Sequence, residues 1–495
     1  MQLNIILGIL MALFAGEVMI GPGWSEQRIW MSRMGGMQSV ALVTGMLLLM
    51  WAFMRVVSRQ VVLKLEATEL PHPKALRLPG RVDLLMRIII LCAFGLQLTA
   101  GGWAHLICLE WRLQRIVLLD EMFLMLPFVV MILMNWYCFY PVNRFVREYV
   151  VTGQLADGLS ARPVWSRSQY MSFHIRGSLL IVLVLLLLIY GWRDVVDKVM
   201  NRWFYDSMKA TWWDEMIIFI GSATVFLVAP LLLRFIWKTR TLPAGPLRER
   251  LEGFCQRIRL NYREILLWDT YSAVANAAVM GLLKPVRYVL LSDALIENMS
   301  DDQIEAVFGH EAGHVRHHHI LFLVLFMMGG IFLMMLLSEL LVYGLEGIIG
   351  GAETWNPVYM WLLYGWSLMW MVVWVLVFGW VSRRFERQAD VHAAQTVGQG
   401  KDHDGDNNNR LSARGAWIME TALIRIALLN GMSIDARSWR HSSIASRAAF
   451  LRQLAEQDGA LNRFMRLVQY IKLLIIVGIV IGVGGIYILD LMNSG

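Results

Sequence analysis

Long apolar segments constrain this chain of 495 residues more than any other feature of its sequence. A hydrocarbon core about 30 Å thick needs roughly 20 apolar residues in a helix, because each residue rises about 1.5 Å along the axis. Nine segments reach or approach that length. We therefore expect a mainly α, polytopic helical membrane protein with about nine spans, at approximately 3–20, 37–54, 84–109, 117–140, 177–192, 215–237, 320–343, 357–381 and 468–489.

The composition agrees with lipid as the main solvent of this chain. Apolar residues make up 57% of it and charged residues 17%, whereas about a quarter of the residues in soluble domains are charged. The first apolar segment, Leu3 to Ile20, follows no Lys or Arg and ends without a small-residue cleavage pattern. We expect it to be a retained span. The four cysteines are scattered and predict neither a disulfide framework nor a thiolate zinc site.

The basic residues predict a membrane topology. The net charge of +7 resides mostly in loops and forms no nucleic-acid recognition motif, so we expect no nucleic-acid partner. By the positive-inside rule the loops after spans two and four face the cytoplasm. Counting spans onward places residues 238–319 and 382–467 on that same side, joined by the hairpin 320–381. The basic residues of the two loops are Arg55, Arg59, Lys64, Lys74, Arg77, Arg81, Arg87, Arg144, Arg147, Arg162, Arg167 and Arg176.

A polar stretch before the seventh span contains two short apolar runs and a helix start. Glu264–Asp269 and Arg287–Leu291 are rich in β-prone residues and predict strands. Ser300, with Gln303 three residues later, forms a capping box. We expect a helix from this cap to about His319.

The helix carries a pattern typical of metal sites. His310 and His314 are four residues apart, so their imidazoles project from one face and reach one tetrahedral ion. Glu311 lies about 100° around the helix, where it can take a proton from a metal-activated water. After the next span, Glu386 is placed to be a third ligand, and Asp390 one turn on can orient a ligating histidine.

The sequence at this point resembles the HtpX-like and CAAX-prenyl-protease-type integral-membrane metallopeptidases, which are gluzincins. The similarity extends over about Thr241 to Leu454. The segments that carry it are Asn276-Ala277-Ala278, Leu290 to Leu295, Ile304 to Val307, His310 to His314, Glu386 to Asp390, and His441 followed six residues later by Arg447. The family usually has His-Pro where this chain has His441-Ser442, and the first six spans match no member that we can align.

The resemblance implies a zinc endopeptidase with one Zn²⁺ per chain and a protein or peptide substrate. It implies His310, His314 and Glu386 as ligands and Glu311 as the base. Arg447 and His441 would act in catalysis, and Asn276 and Ala277 would contact an extended substrate. Asp390 and His319 would orient the metal ligands from the second coordination shell. With Arg316, His317 and His318, His319 also forms a basic cluster that we expect at the lipid headgroups.

We therefore predict three parts: an N-terminal membrane domain of about six spans at 1–240, a small α+β gluzincin domain at 241–467 interrupted by the hairpin 320–381, and a last span in 468–495. The expected function is hydrolysis of membrane or misfolded proteins on the cytoplasmic side of an inner or plasma membrane. The alternative is a non-proteolytic scaffold or transporter with a structural zinc site. A structural site would be closed by four protein ligands.

Overall fold

The computed structural model describes residues 2–20, 36–67, 77–156, 164–203, 212–272, 274–281, 283–349, 357–398, 411–436 and 442–494. Helix dominates these residues, as predicted. The chain divides into two compact units. The first comprises Met1–Arg240 and Trp268–Ala273, and the second comprises Thr241–Leu267 and Val274–Gly495.

In the first unit the described residues form eight α-helices. Packing between them depends on small residues at close approaches: a side chain at Gly8 would collide with the ring of Phe128. Short π-helical segments adjoin α4 and α6 at Leu106–Glu110 and Ile175–Leu180. The helices are α1 Gln2–Ile20, α2 Gly36–Glu66, α3 Arg77–Leu98, α4 Trp103–His105, α5 Leu119–Ala156, α6 Arg167–His174, α7 Ile181–Trp203 and α8 Trp212–Ile236.

The predicted spans correspond to helices of the described residues. Seven stretches are long and apolar enough to cross a bilayer, and an eighth span is formed if α3 and the segment from Trp103 to Glu110 are counted together. These two pieces meet at an angle of 52°, beside Gly102, whose φ is 67°. The first predicted span is a shorter apolar helix, Asn4–Met19. The expected polytopic helical membrane fold is confirmed.

The second unit contains most of a four-stranded sheet with the order β1-β2-β4-β3. Two of the strands were predicted within a residue of their bounds. β3 is an end strand and pairs antiparallel with β4, with Ala277 opposite Leu291 and Val279 opposite Val289. The strands are β1 Thr239–Thr241, β2 Glu264–Trp268, β3 Ala277–Met280 and β4 Tyr288–Ser292.

Eight α-helices are described in the second unit besides the strands. Its core contains Phe254, Phe308 and Phe385 together with apolar residues of the sheet and of the helix Ala413–Leu429. The helices are α9 Pro246–Arg257, α10 Asp293–Asn298, α11 Asp301–Arg316, α12 His319–Ile349, α13 Pro357–Gly398, α14 Ala413–Leu429, α15 Ile444–Glu456 and α16 Ala460–Ser494.

Helix α11 begins as predicted and ends earlier. The Ser300 side chain accepts from the backbone N–H of Gln303, and the Gln303 side chain accepts from the N–H of Ser300, which completes the capping box. The helix stops at Arg316, because the backbone turns at His318, whose φ is 55°. His319 is therefore the first residue of α12 and not the last of α11.

A single uninterrupted helix, α13, joins the eighth predicted span to the segment that carries Glu386. It packs closely on α11. Side chains added at Gly309 and Gly313 would come within 3.2 and 3.1 Å of the Cα atoms of Ala393 and Ala389. These two pairs of small residues let the helix backbones approach, and this approach positions the site.

Candidate metal centre and active site

Three side chains from α11 and α13 converge at one point. Nε2 of His310 lies 3.2 Å from Nε2 of His314. The carboxylate of Glu386 lies 3.7 Å from Nε2 of His310 through Oε2 and 3.8 Å from Nε2 of His314 through Oε1. All three residues were predicted as ligands, and the fold brings them together.

The spacing of these donors suits a small divalent ion. Bonds of about 2.0–2.1 Å in a tetrahedral site place neighbouring ligand atoms about 3.3 Å apart. The two imidazole nitrogens are at that separation, and the carboxylate oxygens are about half an ångström farther out. Two imidazoles and one carboxylate are a donor set typical of catalytic zinc, with one position left for water. The residues therefore fit the ion that the sequence predicts.

The protonation of the two histidines differs. Burial lowers the pKa of His314 to about 4, so this imidazole is neutral at neutral pH and has a lone pair for a metal. For His310, burial acts in the same direction, but the contact with Asp390 outweighs it and raises the pKa. Nδ1 of His310 lies 2.9 Å from Oδ1 of Asp390, without the alignment of a linear hydrogen bond.

Asp390 is held from its other side by Arg447. The guanidinium donates from Nε to Oδ2 at 2.8 Å and from Nη2 to Oδ1 at 2.5 Å. Asp390 is completely buried. The bidentate ion pair with Arg447 therefore compensates the negative charge of a carboxylate that water does not reach. The predicted contact of Asp390 with a ligating histidine is present in the geometry. Arg447 lies beside the site, and its predicted catalytic role stays a prediction.

His319 contacts His314, the second histidine predicted as a ligand. Its Nδ1 lies 2.9 Å from Nδ1 of His314, and its Nε2 lies 2.9 Å from Oε1 of Gln388. Only 1% of His319 is exposed, so it does not belong to a solvated basic cluster with its neighbours. The headgroup expectation is wrong for this residue, since the turn at His318 directs it into the interior.

Glu311 lies beside the three donors and is half-buried. Burial raises the pKa of Glu311 to about 6. The positive charge of protonated His310 opposes this rise, and the negative charge of Glu386 adds to it. The backbone N–H of Val279 on β3 donates to its carboxylate. A carboxylate of this pKa is a suitable base near neutral pH.

The predicted substrate strand, β3, pairs with a strand on one edge only in the part of the chain that the structure describes. Asn276 accepts from the N–H of Ser292 at 3.0 Å, so alternate residues of β3 direct their backbone groups at β4 and the others direct theirs away. By this alternation, Ala277 and Val279 present their N–H and C=O groups to the open edge. Asn276 is exposed, whereas only 5% of Ala277 is exposed. The side chain of Asn276 is therefore accessible to a peptide, and a substrate contact of Ala277 stays a prediction.

A cavity of about 450 Å³ contains the site. One part of its wall is polar, with His310, Glu311, Glu386, Asn276 and Arg447. The remainder is largely apolar and comes from the first turn of α12, one face of α14 and the segments around it. The apolar lining residues include Ile320, Leu323, Met419, Leu423, Ile426, Met432 and Ile444.

The predicted catalytic residue His441 lies outside the described residues. Two features of the site were not foreseen. Gln388 contacts His319, although nothing in its position between Glu386 and Asp390 indicates it. The glycines Gly309 and Gly313 are visible in the sequence four residues apart, and that spacing could have predicted a close helix contact.

In the first unit, Asp120, Glu121 and Asp194 form a second group of neighbouring carboxylates.

The fold and the site together define a helical membrane protein whose second unit carries a peptidase domain. Residues 243–425 match peptidase family M48. The chain therefore contains an M48 peptidase domain, and the predicted family resemblance is confirmed.

Individual relatives are similar over that region. A CAAX prenyl protease 1 homolog of Arabidopsis thaliana is 28% identical over 202 residues, which cover 37% of this chain and 45% of that protein. A protease HtpX homolog of Leptothrix cholodnii is 29% identical over 147 residues, 29% of this chain and 50% of that protein. The chain thus spans about half the length of these curated relatives. The crystal structure of S. mikatae Ste24p aligns over 83% of this chain and 97% of that one, with 17% identity and a TM-score of 0.42.

Proposed function

We propose that this protein is a membrane-embedded, zinc-dependent endopeptidase that cleaves membrane or misfolded proteins. The observation that supports this most is the convergence of His310, His314 and Glu386 beside Glu311 in one cavity. Among the described residues only three donors meet there. A three-ligand site leaves a position open for water, whereas a structural zinc site is closed by four protein ligands.

A bound Zn²⁺ would supply Lewis acidity, which polarises the scissile carbonyl and lowers the pKa of a water to about 7. Glu311 takes one proton from the attacking water as its oxygen adds to the carbonyl carbon. When the C–N bond breaks, Glu311 passes that proton to the leaving amine. Its place beside the three ligands and its raised pKa support both steps.

The substrate would lie extended along the open edge of β3. Ala277 offers a backbone donor and acceptor there, and Asn276 adds its amide at the end of the strand. Main-chain pairing of this kind binds peptides largely independently of their sequence. The apolar wall formed by Met419, Leu423 and Ile426 of α14 would then accept an apolar side chain next to the cleaved bond.

The test is metal analysis and peptide hydrolysis on the purified full-length protein beside Glu311→Gln. We expect the variant to keep one zinc per chain and to lose hydrolysis, because its ligands are intact and its base is gone. Glu456→Gln, an exposed glutamate on α15, is the matched control and should be fully active. Undiminished hydrolysis by Glu311→Gln would contradict the mechanism.

We also propose that the site faces the cytoplasm, on the basis of the basic loops after spans two and four. A single cysteine placed in the segment 399–410, in a variant without the four native cysteines, should react only with a membrane-permeant reagent in intact cells. A cysteine in the segment 350–354 should react with an impermeant one. The opposite pattern would place the site on the outside.

A further inference from the structure

Behind His314 lies a series of polar contacts that the hydrolytic steps do not use. Nε2 of His314 faces the other two donors, so an imidazole that binds a metal there carries its proton on Nδ1. This Nδ1 lies 2.9 Å from Nδ1 of His319. Two nitrogens at that distance form a hydrogen bond only if one of them lacks a proton. Nδ1 of His319 must therefore be the acceptor.

The state of His319 follows from that requirement. Its single proton is on Nε2, which lies 2.9 Å from Oε1 of Gln388 and donates to it. The amide nitrogen of Gln388 then points the other way, 3.7 Å from Sδ of Met465 on α16. Each polar atom in this series, from Nε2 of His314 to the amide of Gln388, is thereby assigned as either a donor or an acceptor. Reversing any one assignment would break a hydrogen bond.

Burial makes this arrangement rigid. The exposed fractions of His319 and Gln388 are 1% and 3%, so water does not replace a lost partner. The His319 ring also stacks on Phe385, with a centroid distance of 4.6 Å and an angle of 5° between the planes. Phe385 directly precedes the ligand Glu386, so the same turn of α13 holds both the ring and a ligand.

We propose that Gln388 is a positioning residue of the metal site: it holds His319 in the Nε2–H tautomer, and His319 thereby holds His314 in the tautomer and orientation that bind the metal. The proposal rests on the proposed zinc-dependent function. An uncharged amide suits the role, because it accepts from His319 without attracting a second proton to the ring. A doubly protonated His319 would have no lone pair for His314.

Zinc affinity of the full-length protein, measured by competition with a chromophoric chelator, tests this without any assay of hydrolysis. His319→Phe keeps the aromatic stack and removes the acceptor, so its zinc dissociation constant should rise about 10–100-fold, the usual range for a lost partner of a ligating histidine. His319→Asn should stay close to wild type, since Oδ1 of asparagine can stand where Nδ1 of the ring stood. His317→Phe, two residues away, is the control and should bind zinc normally.

The decisive comparison is a double-mutant cycle. Gln388→Met keeps the volume and removes the amide, so in the wild-type background it should weaken zinc binding, though less than His319→Phe. In the His319→Asn background the acceptor no longer depends on a ring tautomer, and Gln388→Met should then have no effect. Equal losses in both backgrounds would mean that Gln388 acts through packing and would overturn the proposal, as would unchanged affinity in Gln388→Met. Wild-type protein that binds no zinc would refute the proposed function itself.

Discussion

The two histidines proposed as metal ligands, His310 and His314, lie one turn apart on one helix and have different kinds of surroundings. His310 is backed by a buried ion pair, in which Asp390 is fixed by the guanidinium of Arg447. His314 is backed by an imidazole and an amide, neither of which carries a charge when the contacts are satisfied. The difference teaches that one requirement, a single tautomer for each proposed ligand, can be satisfied either by a charged pair or by neutral groups, and these two arrangements differ in energy.

The charged contacts of His310 and the neutral contacts of His314 differ in what the loss of one contacting residue does to the protein. Removing one partner of a buried ion pair leaves a charge without compensation, which destabilises the whole fold. Removing a neutral acceptor costs one hydrogen bond and leaves the packing in place. Variants on the His310 side should therefore affect both stability and metal binding, whereas variants on the His314 side should act mainly on metal binding.

The largest effect should come from Asp390→Asn. The substitution removes the partner of Arg447 and the charge next to His310 together, so we expect a loss of about 3–5 kcal/mol in the free energy of unfolding and much weaker zinc retention. Chemical denaturation and metal analysis on one preparation measure both quantities.

Its control is the double variant Asp390→Leu/Arg447→Met, which replaces the pair by apolar groups. Stability should recover in large part while zinc binding stays weak. A double variant as unstable as the single one would show that the ion pair is not what the single substitution disturbs.

Arg447→Ala should have a smaller effect on stability, because Asp390 can take up a proton when its partner is gone. We still expect a lower melting temperature and weaker zinc retention. If the guanidinium also stabilises the oxyanion of the reaction, kcat at saturating zinc should fall by about 10²–10³ with KM nearly unchanged. A normal kcat in the zinc-saturated variant would leave Arg447 with a structural role alone.

The smallest effect should come from Gly313→Ala, which acts on both sides equally. The added methyl group would lie 3.1 Å from Cα of Ala389 and from Cβ of His392, and overpacking of this kind costs about 1–3 kcal/mol. Better helix propensity offsets about 1 kcal/mol of that. We expect a small net loss of stability with modestly weaker zinc binding.

Gly253→Ala on α9 is the matched control, because among the described residues no atom outside the local backbone of its own helix lies within 4 Å of the added methyl group. It should be stabilising. A Gly313→Ala protein as stable as Gly253→Ala would mean that α11 and α13 tolerate a wider separation.

Much of the site followed from spacing in the sequence. His310 and His314 are separated by one helical turn, and Ser300 marks the start of the helix that carries them, so both could be predicted from local rules. The spans followed from the length of their apolar runs, because the thickness of a bilayer sets a simple requirement. Glu386 and Asp390 needed the family resemblance as well, since no local rule connects them to a helix more than 70 residues earlier.

The rest depended on tertiary contacts that leave no periodic pattern. Gln388 contacts His319 from a different helix, 69 residues away, and a glutamine at that position is equally compatible with a solvated surface. The early end of α11 depends on a positive φ at His318. Histidine seldom adopts a positive φ, and no sequence pattern predicts one here. We expected one helix to about His319. The turn that ends α11 instead brings His319 into contact with Nδ1 of His314.

Helix α13 runs for 42 residues from Pro357 to Gly398 without a break, so its apolar part and its ligand-bearing part share one helical register. Inserting or deleting a single residue between them would rotate Glu386 by about 100° around the axis and move it about 1.5 Å along it. His310 and His314, which lie on α11, would keep their positions. Related proteins that keep this centre should therefore differ here by substitution only, and length changes should collect in the connections at either end of the helix.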